Sequence, residues 1–269
     1  ARTPVPCGAG PTGAFAGSAI AGAISSSGEL DCLALRTEAS DQTASFLPSD
    51  TVRLTLRSLD VGVTTAGRVV NSLGAEVCGL TSGQLSTICR LSGPAPYRML
   101  IGAEGDATGR YEFDAQRMNG PVGCATLGST SFGASPAAAG ALDRAGDVGC
   151  FVFDSTAVGQ AEFLRVVVTA GFQNGLQYQV YRPTGDVVCS GSGDTLQRCV
   201  LDSAPRYTVL VSSPYGQQGT YRIGRWNVRP PIACDDLGPL AFGETATARS
   251  VDAVGEVDCI SFAGGPGDL

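Results

Sequence analysis

Arg165-Val166-Val167-Val168-Thr169, Asn174-Gly175, Leu176-Gln177-Tyr178-Gln179-Val180 and Pro183-Thr184-Gly185-Asp186 together decide the fold class. β-Branched side chains are stiff at χ1 and favour the pleated strand. Asn-Gly supplies the positive φ of a hairpin-type turn, and the stretch after it alternates with period two. The Pro-Thr-Gly-Asp turn then leads into Val187-Val188-Cys189. The same texture recurs at Val52-Arg53-Leu54-Thr55-Leu56, Glu76-Val77-Cys78, Tyr97-Arg98-Met99-Leu100-Ile101 and Tyr207-Thr208-Val209-Leu210-Val211. No window sustains a helical period with caps. About seven or eight short strands per module, with a turn roughly every ten residues, predict an all-β chain of antiparallel sandwiches, jelly-roll or immunoglobulin-like.

The cysteines fix the register. They stand at 7, 32, 78 and 89, then at 124, 150, 189 and 199, then at 234 and 259. Tyr97 and Tyr207 follow the same offset, as do Gly109-Arg110-Tyr111 and Gly219-Thr220-Tyr221. The opening recurs as Pro4-Val5-Pro6-Cys7, Pro121-Val122-Gly123-Cys124 and Pro231-Ile232-Ala233-Cys234. A self-similar period of this size reads as tandem modules: 1–120, 121–230 and the truncated start of a third, 231–269. The chain therefore reads as a piece of a longer array, with neighbouring repeats as its partners. Residues 3–28 and 118–142 carry no charge but are built from Gly, Ala, Ser, Thr and Pro. They are too weakly apolar to span a bilayer, so they are expected to be long connections or edge strands, with no membrane insertion.

Composition narrows the chemistry. The 269 residues hold 37 Gly, 15 Pro and no His, and all 18 basic residues are Arg. Without His there is no Ser-His-Asp or Cys-His nucleophile and no His-containing zinc site. A net charge of −7 with scattered arginines excludes a phosphate-binding footprint, so no nucleic acid is expected.

Ten paired cysteines imply disulfides and an oxidising location, secreted or on the cell surface. If the third copy is self-contained, its first cysteine must pair with its second. The expected bridges are then Cys7–Cys32, Cys78–Cys89, Cys124–Cys150, Cys189–Cys199 and Cys234–Cys259, each worth about 3 kcal/mol. No C-x-x-C is present, and the spacings do not fit a zinc ribbon or a thiol redox site.

Other motifs are weaker. Gly8-Ala9-Gly10-Pro11-Thr12-Gly13 matches a dinucleotide fingerprint by letter but lacks the strand-to-helix setting that the loop requires. Acidic residues flank the second cysteine of each copy: Glu29 and Asp31, Asp147, and Glu256 and Asp258. They admit two readings, calcium ligands or a solvated start of a strand. Carboxylate pairs of the glycosidase type would sit in one specialised site, whereas these recur by module or scatter, so no catalytic residue is expected. Trp226, the single Trp, reads either as packing at a module boundary or as a sugar platform; Tyr97, Tyr111, Tyr207 and Tyr221, repeated in register, read as core.

The order Gly146-Asp147-Val148-Gly149-Cys150-Phe151-Val152-Phe153, a Val-rich strand, Tyr178 to Gly185, Pro205-Arg206-Tyr207-Thr208-Val209-Leu210-Val211 and Gly219-Thr220-Tyr221-Arg222-Ile223 resembles the bacterial pre-peptidase C-terminal domain. Cys32, Cys150 and Cys259 replace the family's aromatic residue, as in a disulfide-bearing variant. The resemblance implies a secreted, non-catalytic β-sandwich of a kind often attached to an extracellular hydrolase. The sequence thus predicts a spacer or adhesion array. The alternative is an accessory module that binds a polysaccharide or protein for an attached hydrolase such as a peptidase. No cofactor is expected beyond the calcium reading. With one bridge and 39 residues, 231–269 is expected to be poorly ordered or to lean on the second repeat near Trp226.

Overall fold

A computed structural model describes residues 7–15, 19–36, 46–81, 85–136, 138–155, 158–202, 206–229, 234–239 and 248–263. Among these there is no helix. The chain divides into two compact units, 1–125 with 181–186, and 126–180 with 187–269. The strands of the opening stretch are β1 (Gly8–Ala9), β2 (Ile20–Ile24), β3 (Asp31–Ala34), β4 (Thr51–Ser58), β5 (Thr65–Val70), β6 (Glu76–Leu80), β7 (Ser86–Arg90), β8 (Arg98–Ala103) and β9 (Gly109–Arg117). The next nine are β10 (Ala125–Thr126), β11 (Ala138–Leu142), β12 (Val148–Asp154), β13 (Ala161–Ala170), β14 (Gln177–Tyr181), β15 (Val187–Ser192), β16 (Gln197–Val200), β17 (Arg206–Ser212) and β18 (Gly219–Arg229). Two more follow, β19 (Asp235–Pro239) and β20 (Ile260–Ala263).

Each set of nine strands makes two sheets. The orders are β1-β3-β8-β5-β6 with β2-β9-β4-β7, and β10-β12-β17-β14-β15 with β11-β18-β13-β16, the same pattern shifted by nine strands. The neighbours pair antiparallel throughout the four-stranded sheets. β1 joins β3 in parallel, as β19 joins β20. The uncharged stretches supply β1, β2, β10 and β11, which lie at sheet ends where short, small-residue strands are tolerated.

One core fills each sandwich. In the first unit Leu33, Val69, Met99 and Ile101 of the five-stranded sheet pack with Ile24, Val52, Leu54, Tyr111 and Phe113 of the four-stranded one. In the second, Phe151, Tyr178, Val180, Val209 and Val211 meet Leu142, Leu164, Val166, Tyr221 and Ile223. Alternation along each strand aims these side chains inward, and their burial is the main favourable term in folding. Gly22 faces Tyr111 across the β2–β9 pair, and Gly140 faces Tyr221 across β11–β18. The phenol ring lies over each glycine; a Cβ at Gly22 would stand 2.3 Å from Tyr111 Cζ.

One local expectation changes. Asn174-Gly175 does not close a hairpin, because β13 belongs to the four-stranded sheet and β14 to the five-stranded one. The chain crosses between layers there, since each strand must bury its apolar face against the opposite sheet. The true hairpin is the next turn, where Arg182 N–H donates to Asp186 O at 2.9 Å and Gly185 has φ of 88°. In β4 the whole run Thr51–Leu56 is buried, Arg53 included. Arg53 Nη1 donates to Thr55 Oγ1 at 2.6 Å and Gln116 Oε1 at 3.1 Å, and burial pushes its guanidinium down to about 10.

The disulfides staple these layers. Cys78 on β6 and Cys89 on β7 join the last strand of one sheet to the last strand of the other, and Cys189–Cys199 does the same through β15 and β16. Cys7–Cys32 ties the residue before β1 to β3, and Cys234–Cys259 joins the residues just before β19 and β20. Cys124 and Cys150 are also bonded and no cysteine is free, which leaves them as each other's partner.

Candidate functional site

The acidic residues beside the second cysteines form one recurring device. Gly28, Gly146 and Gly255 take φ of 72°, 84° and 80°, a left-handed turn that glycine adopts without strain. The acid that follows folds its carboxylate back over the turn. Glu29 Oε2 accepts from the Ser25 and Ser26 N–H groups at 2.7 and 2.9 Å. Asp147 Oδ2 accepts from Asp143 and Arg144 at 3.1 and 2.8 Å. Glu256 Oε2 accepts from Asp252 and Ala253 at 2.9 and 2.8 Å. These backbone hydrogen bonds, those from Ser25 above all, hold the Glu29 carboxyl below its usual range. Two N–H dipoles aim their positive ends at the same oxygen and partly neutralise it, so in all three places one carboxylate oxygen is committed to the turn.

The second acid of the pair has a different task. Asp31 Oδ2 accepts the Tyr111 hydroxyl at 2.7 Å, and burial, followed by that hydrogen bond, pushes the phenol up. In the second unit Gly149 stands at the same distance before its cysteine, and a Cβ there would fall 1.6 Å from Tyr221 Oη. The phenol occupies the acid's space, which explains why that copy keeps Asp147 alone. Asp258 is exposed beside Asp235 and Arg249 in a cleft of about 410 Å3. Among the described residues no three His, Cys, Asp or Glu side chains are grouped as metal ligands.

The repeated tyrosines are core groups: Tyr97 Oη donates to Gly93 O at 2.7 Å and Tyr207 Oη to Asp202 Oδ1 at 2.8 Å, whereas the buried Tyr221 hydroxyl has no partner among the described residues. Trp226 is fully buried, its indole lying across Gly224 of its own strand, so it offers no open face to a sugar. The Gly8–Gly13 motif forms β1 at Gly8–Ala9 and ends on Gly13 with φ of 80°. Gly10 runs so close to Ala34 O that a Cβ would stand 2.1 Å away, and close backbone packing accounts for its glycine.

Sequence reading missed a buried polar cluster in the second unit. Arg225 Nη1 pairs with Glu162 Oε1 at 2.9 Å, Gln160 Nε2 donates to the same oxygen, and Arg225 lies 4.6 Å over the Phe153 ring. The available signal was a charged residue inside each of two otherwise core strands.

The segment from Ala253 to Val257 rests on the second unit's four-stranded sheet. Gly133 N–H donates to Val257 O at 3.0 Å, and Arg165 Nη1 donates to Glu256 O at 3.0 Å. Gly255 is pressed so near Val167 and Pro136 that a Cβ would come within 2.8 Å of Val167 Cγ2. The contact therefore runs through Pro136, Arg165 and Val167.

Together the fold and these sites define an all-β, disulfide-stapled sandwich protein, and its bridges are those of an oxidising environment. No protein-family model matches the chain, and no curated protein matches it in sequence. Among the described residues no helix is long and apolar enough to cross a membrane.

Proposed function

We propose that the chain is a tandem array of secreted or cell-surface β-sandwich modules, similar to pre-peptidase C-terminal domains, acting as non-catalytic spacer and adhesion units. One observation carries this reading: the acids that recur from copy to copy are spent on holding the same turn. Glu29, Asp147 and Glu256 each accept two backbone N–H groups, and Asp31 accepts a core phenol. A general acid or base needs a carboxyl free to exchange a proton with substrate. Matching sheet orders and near-neighbour bridges support the modular reading, because the first two modules each close their own pair of sheets.

The test is retention. Purified chain passed over insoluble polysaccharides and a glycan array should be recovered in the unbound fraction, with no hydrolysis of peptide or glycoside substrates. Saturable retention on one polymer would favour a targeting module for an attached hydrolase. Turnover abolished by a single carboxylate substitution would overturn the non-catalytic reading.

A further inference from the structure

The chain holds four asparagines, and two of them precede glycine: Asn119-Gly120 and Asn174-Gly175. By sequence these two sites are equal, because a glycine has no Cβ to hinder the approach of its nitrogen to the side chain before it. The structure makes them different. Asn119 Oδ1 accepts the Thr51 N–H at 2.9 Å, and Asn119 Nδ2 donates to Asp50 Oδ1 at 2.8 Å. Asp50 is buried, so the Asn119 carboxamide is pinned at both ends. Asn71 Oδ1 is held likewise, by the Leu73 and Ala75 N–H groups at 3.0 and 3.1 Å. Asn227 lies within β18 and precedes the branched Val228.

Asn174 is exposed, and its main-chain N–H donates to Gln217 Oε1 at 3.1 Å. Among the described residues its carboxamide makes no hydrogen bond, and the Gly175 N–H donates to no main-chain oxygen. Both residues lie on the crossover between β13 and β14, outside either sheet. Gly171 and Gly175, with φ of 89° and 76°, mark the turns of that crossover. A side chain that is free to swing reaches the attack geometry for a reaction with its own backbone, and one that is pinned does not. Turning the backbone at Asn174 breaks no ladder hydrogen bond, so local opening there costs little.

We propose that Asn174 is a site of spontaneous covalent modification, converting to aspartate and isoaspartate in the folded chain while Asn119 is protected. The Gly175 backbone nitrogen attacks Asn174 Cγ. The new N–Cγ bond closes a five-membered succinimide ring, the Cγ–Nδ2 bond breaks, and Nδ2 leaves as ammonia with the proton from the Gly175 amide. Water then opens the ring at either carbonyl. Cleavage of the bond from the ring nitrogen to Cγ gives aspartate. Cleavage of the bond from that nitrogen to the original main-chain carbonyl carbon gives isoaspartate, whose backbone runs through Cβ and Cγ. Either product puts a carboxylate where a neutral amide stood. Isoaspartate also lengthens the crossover between the two sheets by one methylene.

The test is a time course of the full, oxidised chain kept at body temperature in mildly alkaline buffer, read by peptide mapping with fragmentation that separates aspartate from isoaspartate. Asn174 should convert at least tenfold faster than Asn119, and a more acidic species should grow in isoelectric focusing at the same rate. Hydroxylamine, which cleaves the succinimide, should cut the chain between Asn174 and Gly175. In the reduced, alkylated chain unfolded in guanidinium chloride the two sites should convert within threefold of each other, since the protection of Asn119 lies in the fold. Asn174→Gln, which would require a six-membered ring, should remove the early acidic species with Tm unchanged, because the side chain is exposed. An intact Asn174, equal rates at both sites in the folded chain, or the same tenfold gap after unfolding would each overturn the proposal.

Discussion

Arg225 holds Glu162 inside the second sandwich at 2.9 Å, with Glu162 wholly buried and Glu162 Oε2 without a partner among the described residues. A pair of this kind is weak evidence for net stability, but removing one member strands a charge in a medium that cannot solvate it. Arg225→Leu should therefore cost about 3–5 kcal/mol. Replacing both residues with Met should recover at least half of that loss. Urea unfolding of the native chain and the two variants reads the difference, and an Arg225→Leu cost under about 1 kcal/mol would contradict the pairing.

The same pair sets a pH dependence. Burial raises the Glu162 carboxyl above its ordinary value, against the pull of Arg225. The native state then binds this proton more tightly than the unfolded chain does. Its contribution is present below the unfolded value and is lost as pH rises through the folded one. The difference in urea midpoint between the native chain and Glu162→Gln should move accordingly from pH 4 upward. A constant difference would count against it.

The turn carboxylates make a prediction about metal. Glu256→Ala removes the acceptor for two backbone N–H groups and should speed exchange at Asp252 and Ala253 by tenfold or more. A cap of this type is worth roughly 1 kcal/mol. Calcium at millimolar concentration should leave both the exchange and Tm of the native chain unchanged. Protection of these amides by calcium would return the acids to a ligand role.

Edge-to-edge bridges should matter more than their short loops suggest. Cys199 is fully buried, so Cys189→Ala with Cys199→Ala removes a cross-link worth about 3 kcal/mol by loop closure. It also leaves β15 and β16 free to part. Non-reducing peptide mapping should recover Cys78–Cys89 and Cys189–Cys199 as separate species, and a bridge from Cys89 to Cys124 would refute the assignment.

Arg165→Ala should release the segment from Ala253 to Val257 while leaving the sandwich intact. Its guanidinium donates to Glu256 O and also pairs with Asp194 at 2.6 Å. Exchange at Glu256 and Val257 should accelerate, with the Tyr207–Val211 amides unaffected. Equal acceleration in both places would mean that Arg165 supports the core instead.

The all-β fold was legible because Cys, Tyr and Gly recur with the period of a sandwich, and because alternation marks a strand that buries one face. The layer change at Asn174-Gly175 was not legible, since hairpins and crossovers use the same turn residues. What separates them is which sheet the next strand joins, a long-range property. The carboxylates had a visible signal that went unread: Gly28-Glu29, Gly146-Asp147 and Gly255-Glu256 place a glycine before the acid each time. That spacing fits a turn cap better than a ligand set. The Glu162–Arg225 pair required both strands to be placed before its two charges could meet.

Cys7–Cys32 and Cys78–Cys89 enclose 25 and 11 residues of chain in closed loops. A pull on the backbone from either side passes through the sulfurs and bypasses those loops. Under tension the module can pay out only the chain outside them, and roughly 120 Å of contour stays locked away. A reducing agent would release that length, so the same bridges that hold the layers together also limit how far the protein stretches.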